Sequence, residues 1–324
     1  MRPSHIPSRS ELGHFRAREF AALFAFTAAV LSAFALSAGL LAGVPALSGL
    51  PTAARAALHT LSLGGLACMA YGMLVEPWSV RVTRLTLESP KLAGPVRVAH
   101  VSDVHLRRWS RVEDSLLDAL RAIRPDLILV TGDFGAYPTD VEDARRLIRE
   151  MVSIAPVYCS RGNHEYRSAC PMERLQGLGE RWLTGAKASV AVRGSRLEIV
   201  GVDAGDEKAV EALGRGLDPG AYSICLYHFP DLVPGLGRLP YDLMLCGHSH
   251  GGQVRLPWFG AIVSMSRAGR RYTQGLFMDG KAASYVNRGV GSEAYGLPRL
   301  RFCCPPEVAC ITLEPGPLPS GYRR

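Results

Sequence analysis

GPVRVAHVSDVHL, residues 94–106, begins as an apolar run and ends on Asp103-Val104-His105. Alternation along residues 96–101 has the period of a strand, and the strand runs out into a carboxylate and an imidazole rather than ordinary turn residues. The pattern recurs. DLILVTGDF (126–134) is a short buried strand closing on Gly132-Asp133, and APVYCSRGNHE (155–165) closes on Gly162-Asn163-His164-Glu165. AYSICLYHFP (221–230) reaches His228, and YDLMLCGHSH (241–250) reaches His248-Ser249-His250. Between these runs, VEDSLLDALRAI (112–123) and TDVEDARRLIREM (139–151) have helical spacing, the second behind a Thr cap. SVRVTRLTL (79–87) predicts a first strand, KASVAVRGSRLEIVGVD (187–203) a hairpin around Arg193-Gly194-Ser195, DEKAVEALGRGL (206–217) a helix, and residues 272–313 short strands and turns. Strands alternating with helices, then further strands, predict an α/β architecture of sheet layers flanked by helices. In such folds ligands bind at the carboxyl ends of strands, where these polar tips fall.

The 324 residues are 48% hydrophobic and 20% charged, the composition of a folded protein. The net charge of +8 suits an anionic substrate, a membrane surface or nucleic acid. The chain has no long Lys/Arg run and few aromatics interleaved with its basic residues, which argues against nucleic acid. Eight cysteines (Cys68, Cys159, Cys170, Cys225, Cys246, Cys303, Cys304, Cys310) form no C-x-x-C pair, so a zinc ribbon is not supported. Several sit in apolar runs and read as small buried hydrophobes; the adjacent Cys303 and Cys304 have no evident role.

Residues 20–44, FAALFAFTAAVLSAFALSAGLLAGV, hold no charged side chain over 25 positions, and about 20 apolar residues suffice to cross a bilayer. A cleaved signal has a shorter apolar region, about 7–15 residues. A second stretch, residues 56–75, is diluted by His59, Thr60, Ser62 and three glycines; it is a second span or a helix lying on the interface. Arg2, Arg9, Arg16 and Arg18 keep the first arm cytoplasmic; with two spans the rest returns there and with one span it lies outside, and Arg81 and Arg84 favour the cytoplasm. The expected organisation is a basic arm over 1–19, a membrane anchor of one or two transmembrane helices over 20–76, and a catalytic domain over 77–324.

Each polar tip alone is weak: Asp-x-His on a loop is more often a solvated turn, and a lone His228 is more often a core histidine. Together they gather five of nine histidines, and Asp, Asn and His suit cations such as Mn, Fe and Zn. Strand alternation puts Asp103 and His105 on one side, toward one ion. His248 and His250 can reach two different ions, the surrounding glycines removing side chains that would collide with them. His100 points to the opposite face and reads as structural.

The ordered set DVH, GD, GNHE, YH and GHSH, over roughly residues 94–315, resembles the calcineurin-like metallophosphoesterases; GHSHGGQVRLP (247–257), NRGVG (287–291) and PPEV (305–308) resemble their membrane-associated branch, which is similar to UDP-2,3-diacylglucosamine pyrophosphatases. The resemblance implies two packed central β-sheets flanked by helices, a four-layer sandwich, behind an N-terminal transmembrane segment. It implies two divalent metal ions: Asp103, His105 and His250 on the first, Asn163, His228 and His248 on the second, Asp133 bridging both, and His164 catalytic. A bridging hydroxide would attack phosphorus, with the metals roughly 3.5–4 Å apart. Arg107, Arg108 and Arg161 flank the tips as substrate-binding candidates or ordinary surface arginines, and the basic SRAGRRY (266–272) reads first as a solvated loop and second as a contact for phospholipid headgroups or a substrate diphosphate. The implied function is a membrane-anchored phosphohydrolase acting on a phosphoester or pyrophosphate of a lipid- or nucleotide-linked substrate such as UDP-2,3-diacylglucosamine. The alternatives are a broad phosphodiesterase or phosphatase and a non-catalytic membrane-bound regulator. The expected partners are the phospholipid bilayer and the phosphorylated substrate, with neither nucleic acid nor a protein partner, and the expected location is a bacterial-type inner membrane.

Overall fold

The computed structural model describes residues 49–135, 140–166, 175–292 and 299–317, with five single positions between 28 and 39. The basic arm and, apart from those positions, the first apolar stretch at residues 20–44 lie outside the described residues, as do Thr139 and Cys170.

The second apolar stretch forms helix α1 (Thr52–Leu74), which leads through a 3₁₀ turn (Glu76–Trp78) into the first strand. Residues 52–78 are long and apolar enough to cross a membrane by length and composition. Helix α1 packs little of its surface: Leu61, Leu63, Tyr71 and Leu74 are exposed, and only Ser62 and Gly72 are buried.

The rest forms two six-stranded mixed sheets. The first has the order β1 (Arg81–Ser89), β14 (Glu307–Pro315), β2 (Val96–Val101), β3 (Leu127–Thr131), β4 (Val157–Ser160), β5 (Arg181–Trp182). The second runs β12 (Gly275–Asp279), β13 (Ala282–Val286), β9 (Leu243–Cys246), β8 (Tyr222–Tyr227), β7 (Ser195–Val202), β6 (Ala186–Val192). A two-stranded hairpin, β10 (Arg255–Leu256) and β11 (Gly260–Ala261), stands apart from both.

Strand alternation divides each sheet into two apolar faces. Val96, Val98, Leu127, Leu129, Ile311 and Leu313 of the first sheet share one core cluster with Leu197, Ile199, Ile224, Leu226, Leu243 and Leu245 of the second. The first sheet's other face, with Ala99, Val101, Ile128 and Val130, is covered by helices α2 (Arg111–Ile123) and α3 (Val141–Ile154) through Leu116, Leu120, Leu147 and Met151. The second sheet's other face packs Val200, Cys225, Tyr227 and Met244 beneath helix α4 (Glu207–Gly214) and the 3₁₀ segment Pro230–Arg238. This is the α/β arrangement that the alternation of strands and helices predicts.

Local signals behave as expected, with one correction. Ser110 caps α2, accepting from Val112 N at 3.2 Å, and Glu113 completes a capping box. Helix α3 is capped by Asp140 rather than Thr139: its Oδ1 accepts from Glu142 N and Asp143 N, both at 3.1 Å, so the cap lies one residue later than the Thr reading placed it. The predicted hairpin is β6–β7, turning through Arg193 and Gly194. Five described cysteines are buried, and Cys68 and Cys303 are exposed.

Candidate metal centre

Strands β2 and β3 are parallel neighbours, and their pairing continues past their ends: Asp103 N donates to Gly132 O at 3.1 Å and His105 N to Asp133 O at 3.0 Å. The sequence reading expected strand alternation to put Asp103 and His105 on one face, but strand β2 stops at Val101 and neither residue lies in it. Instead both lie in left-handed backbone, with φ of 50° and 46°. Asp133, His248 and His250 do as well, at 52°, 65° and 49°. Non-glycine residues rarely take this conformation, and five together past the ends of β2, β3 and β9 mark backbone bent to aim side chains.

The bends are held by hydrogen bonds. The Asp103 carboxylate accepts from Ser102 Oγ at 2.6 Å and from His248 N at 2.9 Å. A side chain at Gly247 would collide with Ser102 Oγ and with Asp103 Oδ2, so this glycine lets the His248 backbone reach the carboxylate. Gly251 instead faces Cys304 and Arg288, and Gly252 faces Ala261 and Val263; these glycines clear supporting structure, not the histidines as the sequence reading held. Asp133 Oδ1 accepts from His164 N at 2.8 Å. Behind it the buried Glu165 carboxylate accepts from Asp133 N, Phe134 N and Gly162 N at 2.7–2.8 Å, fastening the β3 tip to the β4 tip. NRGVG crosses under the first tip: Val290 N donates to Ser102 O at 3.0 Å and Gly291 N to Asp103 O at 2.7 Å, and any side chain at Gly291 would strike Val104 O.

The five tips thereby meet. Asp103, His105 and His250 form one group whose ligand atoms lie within 4.8 Å of one another; Asp133, His228 and His248 form a second; His105, Asp133 and His164 form a third between them. Asp133 belongs to two of the groups, and His248 and His250 fall in different ones. The His105 and His250 rings stack with centroids 4.9 Å apart. His228 Nδ1 lies 2.7 Å from Thr131 O, which turns Nε2 toward Asp133 Oδ2 at 3.3 Å. Asn163 Oδ1 is a buried acceptor that meets no hydrogen-bond donor. A buried orphan oxygen on the residue before His164, whose N donates to Asp133, fits divalent cations better than an apolar core or a surface turn.

Electrostatics agree. Burial resists charge on both aspartates, but facing imidazoles outweigh it: His250 foremost for Asp103 and His228 for Asp133, and both carboxyls stay below the usual carboxylate range. Burial likewise opposes charge on His228, yet Asp133 and Asp103 raise its pKa to about 10. Burial, then the charge on His228, takes His248 down to about 4. Without a cation, the carboxylates draw a proton onto His228; a bound cation answers the same field.

His164 lies at the edge, its Nε2 4.0 Å from Asp133 Oδ2 and its ring edge-on to His105 at 4.6 Å. Arg107 and Arg108 are exposed beyond His105. Arg161 is half-buried before Asn163, lining with Gln176, Glu180 and Trp182 a cleft of about 350 Å³. His100 is buried as expected. It also begins a chain: its Nε2 lies 2.8 Å from Thr131 Oγ1, which donates to Ser102 Oγ at 2.8 Å, which reaches Asp103.

Two supports escaped sequence reasoning. Glu165 sits inside the quoted GNHE, yet its triple acceptance joins residues that only the fold makes neighbours. Arg301 is fully buried and donates to the carbonyls of Arg288, Gly289, Gly291 and Cys304, with Nη2 3.4 Å from His250 Nδ1. Glu76, after α1, accepts from Cys303 N and Cys304 N, and Cys304 Sγ donates to His250 O at 3.2 Å, which gives the adjacent cysteines a place.

Residues 96–252 match the family model for calcineurin-like phosphoesterases. The chain is 30% identical over 259 residues to the uncharacterized metallophosphoesterase YkuE of Bacillus subtilis, covering 75% of this chain and 89% of that protein. It is 30% identical over 234 residues to the phosphodiesterase YaeI of Escherichia coli, with 68% and 83% covered. It is 27% identical over 323 residues to the UDP-2,3-diacylglucosamine pyrophosphatase LpxG of Chlamydia trachomatis, with 79% and 96% covered.

Proposed function

The chain belongs to the calcineurin-like phosphoesterase family, and we propose that it is a membrane-anchored hydrolase that holds two divalent cations and cleaves a phosphoester or pyrophosphate bond of a lipid-linked substrate. The family, together with relatives named as a phosphodiesterase and a UDP-2,3-diacylglucosamine pyrophosphatase, supports metal-dependent phosphoester hydrolysis. The observation that carries the dinuclear reading is Asp133, a carboxylate shared between ligand groups that contain different histidines. Asp103, His105 and His250 would hold one cation, Asn163, His228 and His248 the other, with Asp133 between them; Mn, Fe and Zn all suit this donor set. Such a pair, when bound, supplies Lewis acidity and a water acidified toward neutral pH.

The chain's own groups do the rest. Ser102 Oγ and His248 N hold Asp103, and Glu165 and His164 N hold the loop and carboxylate of Asp133, so the ligands are set before substrate arrives. His164, partly open to solvent, is placed to stabilise charge on phosphorus oxygens and to give a proton to the leaving oxygen. Arg161 is the best placed of the three arginines to bind the anionic substrate, since it adjoins Asn163 and lines the neighbouring cleft.

UDP-2,3-diacylglucosamine is the sharpest substrate proposal, supported by similarity to LpxG across 96% of that relative and by an apolar helix that would hold the site beside a bilayer. Similarity to YaeI favours a second reading, a broader phosphodiesterase. The arginines of the first arm favour an inner-membrane location with the catalytic part cytoplasmic, provided that both apolar stretches span. Detergent-purified full-length protein with Mn²⁺ tests the substrate. UMP released from UDP-2,3-diacylglucosamine by the wild type but not by Asp133→Ala supports the pyrophosphatase; hydrolysis of only bis(p-nitrophenyl) phosphate selects the phosphodiesterase.

A further inference from the structure

Two elements converge on Phe302. Its ring lies edge-on to Tyr71 near the end of α1, centroids 6.4 Å apart. Its N donates to Gln253 O at 2.9 Å, and its O accepts from Arg255 N at 2.9 Å, at the start of β10. Arg301 N, beside it, donates to Gly72 O at 2.9 Å. The β10–β11 hairpin and the last turns of α1 are therefore fastened to the same two residues. The hairpin tip, Trp258, is three residues past Arg255, a reach of about 10 Å in extended chain.

That tip is unusual chemically. Trp258 is fully exposed (104%) and Phe259 is 57% exposed, on a domain whose other described aromatics are mostly covered. Trp258 also has a φ of 62°, a conformation suited to glycine or asparagine. Neither packing nor turn geometry asks for tryptophan there. Beside it, the Arg270 guanidinium lies 4.2 Å from the centre of the Phe259 ring, and Arg271 is exposed. Neither forms an ion pair among the described residues. Arg267 is held by Asp231 and Glu207, and Arg255 donates to Gly251 O and Thr273 Oγ1. The basic stretch 266–272 thus divides into one neutralised arginine and two with no acidic partner among the described residues, of which Arg270 donates to Ala261 O at 3.5 Å.

We propose that this tip is a second point of membrane contact: Trp258 and Phe259 enter the boundary between headgroups and acyl chains, and Arg270 and Arg271 meet anionic lipid phosphates. Indole and phenyl rings favour that depth, and the two arginines beside them answer a negative surface. A helix leaving the bilayer at its C-terminal end would place Phe302 near the interface, and the tip with it. The inference rests on α1 being membrane-inserted. Since β10 begins five residues after His250, two attachments would hold the His248–His250 turn in a fixed attitude to the bilayer where one would let it swivel.

The test uses full-length protein reconstituted into phosphatidylcholine–phosphatidylglycerol vesicles, with plain or brominated acyl chains. The four tryptophans are Trp78, Trp109, Trp182 and Trp258, so the emission difference between wild type and Trp258→Phe isolates Trp258. Brominated lipid should remove most of that difference signal, and Arg270→Gln with Arg271→Gln should weaken the quenching on anionic vesicles. Protein that floats with vesicles while Trp258 stays unquenched overturns the hairpin contact and leaves the anchor standing. Protein that does not float overturns both. An unquenched Trp258 whose emission changes with the protein-to-lipid ratio assigns the tip to a second copy of the chain and also overturns the proposal.

Discussion

The Nε2 atoms of His105 and His250 lie 3.0 Å apart, although 145 residues separate them in the chain. Both also face Asp103 Oδ1, at 3.8 and 3.4 Å. Two imidazole nitrogens and a carboxylate oxygen pointed at one place compete for the same proton, or share one cation.

Asp133→Ala removes the carboxylate that joins the ligand groups. Activity should fall by more than the roughly 10–100-fold typical of losing an outer-shell partner. Metal analysis of the purified variant should show fewer ions per chain than wild type. A variant with near-normal turnover and full metal content would sink the dinuclear reading.

His164→Ala should keep its metal and lose rate by about 10²–10⁴-fold, the range for a missing general acid. His164 also lies in a ligand group with His105 and Asp133, so the same metal analysis decides between roles. Loss of metal would make it a ligand.

Arg301→Met would take a donor from four backbone carbonyls, those of Arg288, Gly289, Gly291 and Cys304, of which Gly289 O keeps Glu307 N at 3.0 Å. A destabilisation of about 3 kcal/mol or more is expected from buried acceptors left unpaired. Weaker metal binding should accompany it, because Arg301 also borders His250. Arg301→Lys, which keeps the charge but not the planar fork, should recover little. Thermal unfolding and metal titration check both; an unchanged melting temperature in Arg301→Met would refute this role.

His100 has its pKa lowered to about 4, through burial against the weaker pull of Glu307 and Asp103. Below the unfolded value of about 6.5 the unfolded chain takes up a proton that the folded chain refuses. Its contribution to stability is therefore complete above that value and is lost as pH falls toward 4, by about 3 kcal/mol in all. Urea unfolding of wild type and His100→Gln at a series of pH values should show the wild type's advantage shrinking with acidity. A constant difference would contradict the assignment.

A reporter enzyme fused after Arg324 should report a cytoplasmic C-terminus. Activity on the far side of the membrane would refute the two-span topology and weaken the diacylglucosamine reading.

The strands, the helices around them and the residues that meet at the centre were legible because each tip is local: an apolar run, a glycine, then Asp, Asn or His. What joins them was not. Left-handed backbone at Asp103, His105, Asp133, His248 and His250 could not be read from residue type: aspartate and histidine are enriched in that region, yet most of them lie elsewhere. Strand alternation therefore set Asp103 near His105, where the fold also has them, but by a geometry the backbone does not use. Glu165 and Arg301 satisfy backbone groups from distant segments, and no spacing rule announces an acceptor or donor whose partners are main chain. Asp140 displaced Thr139 as the cap because both residues carry a suitable oxygen, and which one aligns with the first amides depends on how the preceding loop enters.

Strand β14 stands between β1 and β2, pairing in parallel with one and antiparallel with the other. The sheet that carries Asp103 and Asp133 therefore has a gap in it until residues 307–315 have been synthesised. The apolar helix at residues 52–74 leaves the ribosome much earlier, by about 10–50 s at roughly 5–20 residues per second. A chain that inserts as it is made would be tethered to its membrane before it had a finished catalytic sheet, and would complete that sheet there, within reach of the surface on which it is proposed to work.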